Sequence, residues 1–287
     1  MKVKKAVIPA AGFGTRMLPA AKSVPKEMIC IAGKPAIHYI VKEAVDAGIE
    51  DILIITSRGK TAIEDYFDYS PELEMRLERS GKLELIEELH AIADMANITF
   101  IRQKELKGLG HAVMHARSFT GDEPFAVLLG DDIMRSETPV TKQLVEQAEK
   151  YSCSCVGVKK VETSEISKYC YLGVKALGDS LFDVQELIEK PTPDKVLSNY
   201  AILGRYVLTS GIYELLENAK PGFGGEIQLT DALNLLCRKE RMLALEFEGE
   251  RFDSGNICGY MEASIQLALA NPEISDWLKN YMKGLDI

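Results

Sequence analysis

A glycine-containing turn followed by cationic residues lies near the start of the 287-residue chain. Gly12 and Gly14 follow a short apolar run, and Arg16 and Lys26 come next. Glycines in such a turn let backbone N–H groups approach a phosphate without an intervening side chain. The P-loop motif is absent, and Met17 occupies the position where the dinucleotide fingerprint needs its third glycine. We therefore predict a loop that holds the phosphates of a nucleotide, against the alternative of a plain turn with solvated charges.

Acidic residues follow two further apolar runs. Asp131 and Asp132 come directly after the run 125–129, and Asp253 follows Phe252. In an open parallel sheet, ligands bind outside the carboxyl ends of the strands, so carboxylates at these ends belong to a site. Mg²⁺ takes one or two carboxylates and completes its shell with water and phosphate. Either aspartate alone is typical of a turn or an N-cap. Together with the cationic loop, they favour a site for a metal and a nucleotide.

A third pair of charged residues ends another predicted strand. Glu189 and Lys190 directly precede Pro191. A strand end before proline can turn both side chains toward a ligand. Lys190 could then bind a phosphate as a point charge, and Glu189 could accept hydrogen bonds from sugar hydroxyls. By itself, the pair is more typical of a charged surface.

Histidine and cysteine indicate no further chemistry. His111 and His115 are four residues apart, but Ala112 occupies the position that the H-E-x-x-H motif gives to glutamate. The six cysteines include no C-x-x-C motif. Cys153 and Cys155 are two residues apart in a strand-like run, so their side chains are expected to lie on the same face of the strand, as two buried thiols. We therefore expect a reducing, cytoplasmic environment.

Charge is distributed unevenly along the chain. The formal net charge is -9, which argues against a nucleic-acid partner, because such partners are bound through basic surfaces. Residues 1–35 nevertheless carry seven basic groups and one acid, a balance of +6, and the remainder carries -15. No stretch approaches the roughly 18 consecutive apolar residues of a membrane helix, so we expect no membrane partner either.

Short runs that are apolar throughout alternate with helical patterns. Such runs predict strands covered on both faces, and therefore parallel pairing; they are 6–8, 52–55, 125–129 and 155–158. Helices are predicted over 82–96, with an apolar stripe, and after Thr138, with Thr138 as N-cap and Pro139 as first helical residue. We predict a doubly wound, mostly parallel, Rossmann-like α/β sheet. Residues 170–208 would form a small antiparallel addition, and 257–287 would contain C-terminal helices.

These motifs together resemble those of the sugar-phosphate nucleotidyltransferases. The resemblance is carried by residues 12–16, 25–28, 33–35, 130–132, 189–191 and 252–255. Further motifs, at 57–60, 63–68, 204–206 and 224–231, resemble the bacterial members that use UTP and glucose 1-phosphate. The matching order extends from residue 3 to about 268, which makes the set far more specific than any single motif.

The resemblance implies a nucleotide-diphospho-sugar transferase fold and a role for each motif. The expected activity is Mg²⁺-dependent transfer of a uridylyl group from UTP to glucose 1-phosphate, giving UDP-glucose and pyrophosphate. Implied nucleotide-binding residues are Ala10, Ala11, Gly12, Gly14, Thr15, Arg16, Lys26, Gln103, Gly108 and Asp131, with Gln103 and the Gly108 backbone at the uracil edge. Implied catalytic residues are Arg16, Lys26 and Lys190; sugar-phosphate-binding residues are Gly173, Glu189 and Lys190; and Mg²⁺ ligands are Asp131 and Asp253. One departure is Ile257, where the family pattern has lysine.

The chain is expected to form one domain. Within 1–287, residues 1–135 would bind the nucleotide, 136–256 the sugar phosphate, and 257–287 would form the terminal helices. The resemblance also implies a homodimer or homotetramer. Three alternatives remain open: a thymidylyltransferase or an enzyme for another sugar 1-phosphate, an NAD-dependent oxidoreductase, and a regulatory or scaffold protein that keeps the fold without the chemistry.

Overall fold

The computed structural model describes residues 1–162, 169–192, 196 and 198–285, except for the side chain of residue 223. Its strands are β1 Lys5–Pro9, β2 Cys30–Ile31, β3 Lys34–Pro35, β4 Asp51–Thr56, β5 Asn97–Arg102, β6 Phe125–Leu128, β7 Asp132–Arg135, β8 Ser154–Lys160, β9 Cys170–Ala176, β10 Leu181–Glu189, β11 Tyr200–Leu208, β12 Met242–Glu246 and β13 Glu250–Asp253. Its helices are α1 Ala36–Asp46, α2 Thr61–Phe67, α3 Pro71–Arg79, α4 Leu83–Ala93, α5 Leu109–Met114, α6 Arg117–Thr120, α7 Val140–Tyr151, α8 Gly211–Glu217, α9 Leu229–Lys239, α10 Ile257–Ala270 and α11 Ser275–Lys283.

Nine of these strands form one mixed sheet. Their order is β5-β4-β1-β6-β11-β8-β12-β10-β9, and two small two-stranded sheets, β13-β7 and β2-β3, lie apart from it. β5, β4, β1 and β6 pair in parallel, as do β8 and β12. β10 is antiparallel to β12 and β9, and β11 is antiparallel to β6 and β8. The four parallel strands bring the carboxyl ends of β1, β4 and β6 to one edge, where ligands bind in such sheets.

Two apolar cores cover the two faces of the sheet. Successive side chains of a strand point to opposite faces, and Ile8 and Val7 of β1 accordingly belong to different cores. The core around Ile8 packs against α1 and α7, and the core around Val7 packs against α5, α8 and α9. Burial on both faces explains why these strands are apolar throughout rather than alternating.

The positions of the predicted strands are confirmed, with one difference in placement, but the prediction of a mostly parallel sheet is wrong. Among the described strands, four of the eight neighbouring pairs in the nine-stranded order are antiparallel, because β10 and β11 run opposite to their neighbours. The four uninterrupted apolar runs form β1, β4, β6 and β8, and region 170–208 contains three strands that make antiparallel pairs. The difference is β11, which lies in the middle of the sheet between β6 and β8 rather than in an addition at its border. Eight consecutive residues of β11 from Ala201 to Leu208 are buried, because helices cover both of its faces.

Two helix predictions need adjustment. The predicted helix over 82–96 is α4, but its apolar stripe is only partly covered, and Leu85 remains 45 % exposed. The helix expected after Thr138 begins at Val140, with Pro139 rather than Thr138 at the N-cap position. The ψ angle of Pro139 is 131°, so its backbone is extended and the proline cannot be the first helical residue.

The expected state of the thiols is confirmed. All six cysteines are free, and Cys153 and Cys155 are buried in the same core. Among the described residues, no helix combines the length and the apolar character that a membrane span requires.

Candidate active site

The loop after β1 is anchored to the neighbouring strand β4 and to the segment that follows it. Ala10 N–H donates to the Ile55 carbonyl at 2.8 Å, and the Ser57 hydroxyl donates to the Ala11 carbonyl, also at 2.8 Å. Beyond these anchors the chain forms three short 3₁₀ turns, at Thr15–Met17, Ala20–Lys22 and Lys26–Met28. The loop predicted to be cationic is therefore folded onto the carboxyl edge of the parallel strands.

A cavity of about 490 Å³ opens between this loop, the end of β6 and the start of α5. Its size is in the range of small-molecule sites. It brings together six of the ten predicted nucleotide-binding residues: Ala11, Gly12, Lys26, Gln103, Gly108 and Asp131. The sequence prediction did not include the other residues of the wall, which are Pro9, Phe13, Leu106, Leu109, Ala112, Leu129 and Glu226.

The remaining predicted nucleotide-binding residues lie beside the cavity rather than in its wall. Ala10 is buried behind it, and Gly14 caps the turn that begins with Thr15. Arg16 lies in the same turn, with 59 % of its side chain exposed. Arg16 is connected to the site through its contacts with Asp131 and Asp253.

The Gln103 side chain is fixed at one end of the cavity. Its Nε2 lies 2.8 Å from His111 Nδ1 and 3.3 Å from the Gly108 carbonyl. Burial, His115 and Lys107 lower the pKa of His111, so its imidazole is neutral at pH 7 and can accept the amide proton at Nδ1. Gln103 Oε1 is then left as the acceptor of this side chain.

Gly108 allows a close approach that no other residue could make. Its φ is 99°, and a Cβ at this position would lie 2.7 Å from Glu226 Cβ and 2.8 Å from the Ile227 carbonyl. Ile227 N–H donates to the Lys107 carbonyl at 2.7 Å, so the segment before α9 packs directly on this turn. Glycine therefore lets the backbone at 108 line the cavity while a second segment closes over it.

Two cations and two aspartates form the charged part of the site. Lys26 Nζ lies 2.5 Å from Asp131 Oδ2, and Arg16 lies 3.6 Å from Asp131 and 3.2 Å from Asp253. Burial alone raises the pKa of Asp131, but Lys26, Arg16 and Arg251 outweigh it and lower that pKa. Burial lowers the pKa of Lys26, but Asp131 and Glu27 raise it by more. Both groups are therefore charged at neutral pH.

The small sheet β13-β7 brings the two aspartates together from distant parts of the chain. Asp253 pairs with Asp132, and both the N–H and the hydroxyl of Ser254 donate to the Asp131 carbonyl, at 2.9 and 2.8 Å. A Cβ on Gly255 would lie 3.0 Å from Asp253 Oδ1 and would collide with Asp131 Oδ2. Oxygens of both carboxylates therefore face the same small volume. In the part of the chain that the structure describes, no group of three or more His, Cys, Asp or Glu could hold a metal ion.

The predicted sugar-phosphate residues lie on the antiparallel strands and outside the cavity wall. Glu189 ends β10 and accepts a hydrogen bond of 2.6 Å from the Thr230 hydroxyl. Lys190 follows with a positive φ of 43°, and its N–H donates to the Tyr169 carbonyl at 3.1 Å. Gly173 lies in the neighbouring strand β9, paired with Glu186.

Arg251 connects the two parts of the site. Its guanidinium lies 2.6 Å from Asp132 Oδ1 and 3.9 Å from Asp253 Oδ2, and it donates to the Tyr169 hydroxyl at 2.9 Å. Tyr169 in turn accepts the backbone N–H of Lys190. Arg251 and Tyr169 therefore join the aspartates to the residue predicted to bind the sugar phosphate.

Sequence reasoning missed several side chains that hold the site in place. They are Ser57, Lys60, His111, Tyr169, Thr230 and Arg251. The only available signal was proximity to a motif, since Arg251 directly precedes the run 252–255 and Lys60 lies in the motif 57–60. Ile257, the departure from the family pattern, is the first residue of α10 and is 58 % exposed.

Comparison with known proteins identifies relatives over almost the whole chain. The sequence model of the family described as "Nucleotidyl transferase" matches residues 5–269. The UTP–glucose-1-phosphate uridylyltransferase of Bacillus subtilis (strain 168) is 51 % identical over 284 residues, which are 99 % of this chain and 97 % of that protein. The enzyme of the same name from Staphylococcus epidermidis (strain ATCC 12228) is 50 % identical, over 100 % of this chain and 99 % of that protein.

Solved structures give the same result. A crystal structure of UDP-glucose pyrophosphorylase complexed with UDP-glucose superposes with a TM-score of 0.85 at 40 % identity, covering 94 % of this chain and 100 % of that one. A UTP-bound enzyme from Acinetobacter baumannii, titled UGPase, superposes with a TM-score of 0.92 at 36 % identity, covering 99 % of this chain and 100 % of that one.

Proposed function

This chain belongs to the nucleotidyl transferase family, and we propose that it transfers the uridylyl group of UTP to glucose 1-phosphate, releasing UDP-glucose and pyrophosphate. The observation that supports the proposal is the cavity whose wall contains Gln103, Gly108, Lys26 and Asp131, because in this proposal a base-reading end would lie beside a phosphate-binding end. An NAD-dependent oxidoreductase is set aside, since the family and the relatives are transferases.

The reaction needs charge neutralisation more than proton transfer. The attacking phosphate oxygen is largely ionised at neutral pH, because the second pKa of a phosphate monoester is about 6. No general base is therefore required. The difficulty lies in bringing two polyanions together, since two unit charges 4 Å apart interact by about 4 kcal/mol at an effective dielectric constant of 20.

The cations of the site answer this requirement. We assign Arg16 and Lys26 to the triphosphate and Lys190 to the phosphate of the sugar, where their charges reduce the repulsion between the substrates. The same cations stabilise the charge that develops on the departing pyrophosphate. The backbone of Ala10, Ala11 and Gly12, with Gly14 and Thr15 in the turn, binds the nucleotide in this proposal. Catalysis therefore depends on positioning and electrostatics.

The two aspartates suit Mg²⁺. Asp131 and Asp253 turn carboxylate oxygens to one volume, and a two-carboxylate set is what Mg²⁺ uses when phosphate and water complete its shell. When bound there, the ion would supply a further positive charge against the phosphate oxygens. Arg16 contacts both carboxylates and holds them in this arrangement.

Base and sugar selectivity follow from acceptors at the two ends of the site. Uracil presents an N3–H donor, which suits Gln103 Oε1 because Nε2 of the same amide is occupied by His111 and Gly108. Glu189, held by Thr230, is placed to accept hydroxyl protons of the glucose, beside Gly173 on the neighbouring strand.

Four finer proposals accompany the activity. The winding of the sheet is Rossmann-like and doubly wound; β1 lies between β4 and β6, and helices cover both faces, in support of this proposal. The enzyme acts in the cytoplasm, in keeping with its six free cysteines. Its partners are the two substrates, without nucleic acid or membrane.

The fourth concerns a second copy of the chain. Two apolar stripes with a spacing of four residues are exposed on the terminal helices: Ile257, Met261 and Ile265 on α10, and Trp277, Tyr281 and Leu285 on and after α11. Such a surface suits self-association into a homodimer or homotetramer. Light scattering after size-exclusion chromatography tests this, because a monomer at micromolar concentration would contradict it.

A pyrophosphate-release assay tests the activity. UTP, dTTP and GTP are each offered with glucose, galactose and mannose 1-phosphates in the presence of Mg²⁺. We expect the highest kcat/KM for UTP with glucose 1-phosphate. Preference for dTTP would favour a thymidylyltransferase, and no turnover with any pair would favour a regulatory protein that keeps only the fold.

A further inference from the structure

A buried ion pair lies directly beside Lys26. Lys60 Nζ is 2.9 Å from Glu27 Oε1 and 2.8 Å from Glu27 Oε2. The Glu27 side chain is 0 % exposed and that of Lys60 is 8 % exposed. Glu27 is the middle residue of the 3₁₀ turn that begins with Lys26, and Lys60 directly precedes α2. The pair therefore links the turn that carries Lys26 to a different element of the nucleotide-binding half.

Burial makes this pair a weak source of stability. It raises the pKa of Glu27 although Lys60 and Lys26 lower it, and it lowers the pKa of Lys60 although Glu27 raises it. Both shifts favour the neutral forms, which is the signature of desolvation that pairing does not fully offset. Replacing a buried ion pair by apolar residues is often neutral for stability. The role of the pair therefore follows from its position beside Lys26 rather than from its contribution to the free energy of unfolding.

The pair lies next to the contact between Lys26 and Asp131. Glu27 directly follows Lys26 in the same 3₁₀ turn, so its carboxylate is an alternative partner for the Lys26 ammonium group. Both oxygens of Glu27 are engaged by Lys60, and Lys26 extends instead to Asp131 at 2.5 Å. Charges therefore alternate in the order Asp131, Lys26, Glu27, Lys60. Without the last charge, the buried Glu27 carboxylate would attract Lys26 away from the site.

The same segment also holds the other end of the loop. Ser57, three residues before Lys60, donates its hydroxyl to the Ala11 carbonyl at 2.8 Å. The segment 57–60 therefore anchors the phosphate-binding loop near its beginning and near its end. Within this segment, Lys60 is the residue that pairs with Glu27, the neighbour of Lys26.

We propose that Lys60 is a positioning residue for the transfer reaction, which engages Glu27 so that Lys26 remains directed at Asp131 and available to the triphosphate. This inference depends on the proposed function, because it assigns the effect to the nucleotide. It predicts a defect specific to UTP. It also predicts that the defect comes from the unpaired, buried charge of Glu27 rather than from the loss of Lys60 itself.

Steady-state kinetics of Lys60→Met and of the double variant Glu27→Gln/Lys60→Met test the proposal. In the single variant we expect kcat/KM for UTP to fall between about tenfold and hundredfold, as misplacement of a catalytic group does. The KM for glucose 1-phosphate should change by less than about threefold, a small fraction of that effect. The double variant should recover most of the loss, because it contains no unpaired carboxylate. Lys4→Met, which removes an exposed lysine paired with Glu50, is the matched control and should leave the kinetics unchanged.

Each outcome decides the question. Equal losses for both substrates, or a double variant as poor as the single one, would mean that Lys60 only supports the fold. Should Lys60→Met fail to fold, the double variant decides alone: near-normal turnover supports the proposal, and turnover as low as that of Lys26→Ala overturns it. If the unmodified protein forms no UDP-glucose, the proposed function fails instead. If it does and Lys60→Met matches it, only this inference is wrong.

Discussion

The two halves of the site are organised differently. In the nucleotide half, Arg16, Lys26, Asp131 and Asp253 contact one another, although they come from three distant segments. In the sugar half, Glu189 accepts a hydrogen bond from the Thr230 hydroxyl, and Glu189 and Lys190 both come from the end of a single strand. Charges that hold one another in place are already oriented before a substrate arrives. Damage to the first half should therefore impair the whole reaction, whereas damage to the second should affect one substrate.

The largest effect is expected for Asp131→Asn. Asn keeps the shape but removes the charge that Lys26 and Arg16 contact, and with it the proposed ligand of Mg²⁺. We expect kcat to fall at least about hundredfold, with a normal circular dichroism spectrum. Asp183→Asn is the control, since Asp183 is also ion-paired, with Arg241, but lies outside the site. Unchanged Mg²⁺-dependent turnover of Asp131→Asn would remove this residue from the role.

Lys190→Ala should separate the two halves. A charge-assisted hydrogen bond contributes about 1.5–3 kcal/mol, so we expect the KM for glucose 1-phosphate to rise about tenfold to hundredfold. The KM for UTP should change much less. Initial rates measured with each substrate varied in turn give both constants, and Lys239→Ala serves as a surface control. An equal rise in both constants would show that Lys190 acts elsewhere.

Thr230→Val tests how Glu189 is held, and we expect a smaller effect. The substitution removes the hydroxyl that donates to Glu189 while keeping the shape of the side chain. Loss of one hydrogen bond of about 1 kcal/mol should raise the KM for glucose 1-phosphate about fivefold. Thr209→Val is a matched control, because Thr209 also donates to a glutamate, Glu240, at 2.6 Å. The same change in both variants would mean that Glu189 needs no such support.

The last prediction concerns the stability of the nucleotide half, and we expect no effect on catalysis at pH 7. Burial, with Lys34 and Lys42, lowers the pKa of His38 to about 4. In the unfolded chain His38 takes up a proton at about pH 6.5, whereas in the folded chain it stays neutral down to about pH 4. The stability of the folded state is therefore fully present above pH 6.5 and is lost progressively as the pH falls toward 4. We expect this protonation to lower the free energy of unfolding by up to about 3 kcal/mol. Urea unfolding of His38→Gln at pH 7 and pH 4.5 should show a weaker pH dependence than the unmodified protein, and an identical dependence would contradict the assignment.

The sequence predicted most of what depends on local patterns. Strands such as β1 and β6 were recognisable because burial on both faces leaves an uninterrupted apolar run. The loop motif at 12–16 and the aspartates at 131 and 253 were recognisable because their chemistry requires particular residue types at strand ends. Their grouping around one volume agrees with this reasoning, although the role of each residue remains a prediction.

The rest depends on contacts between distant segments. The run that forms β11 is equally apolar in a central or a peripheral strand, so its place in the sheet could not be derived from its composition. Glu27 and Lys60 are 33 residues apart and become partners only when α2 packs beside the 3₁₀ turn. Thr230 lies in the motif 224–231, but nothing in that motif indicates Glu189 as its partner, because the contact is created by packing of α9 against β10.

The central position of β11 has a consequence for synthesis of the chain. β6 ends at Leu128, but its outer partner in the sheet is the segment Arg205–Leu208, which leaves the ribosome more than seventy residues later. Until then, a fully apolar strand has an open edge, the kind of surface that pairs with other chains and aggregates. Chains interrupted between residues 135 and 200 should therefore be insoluble, even though they contain the whole phosphate-binding loop. The proposed nucleotide site is therefore completed only after β11 has been made.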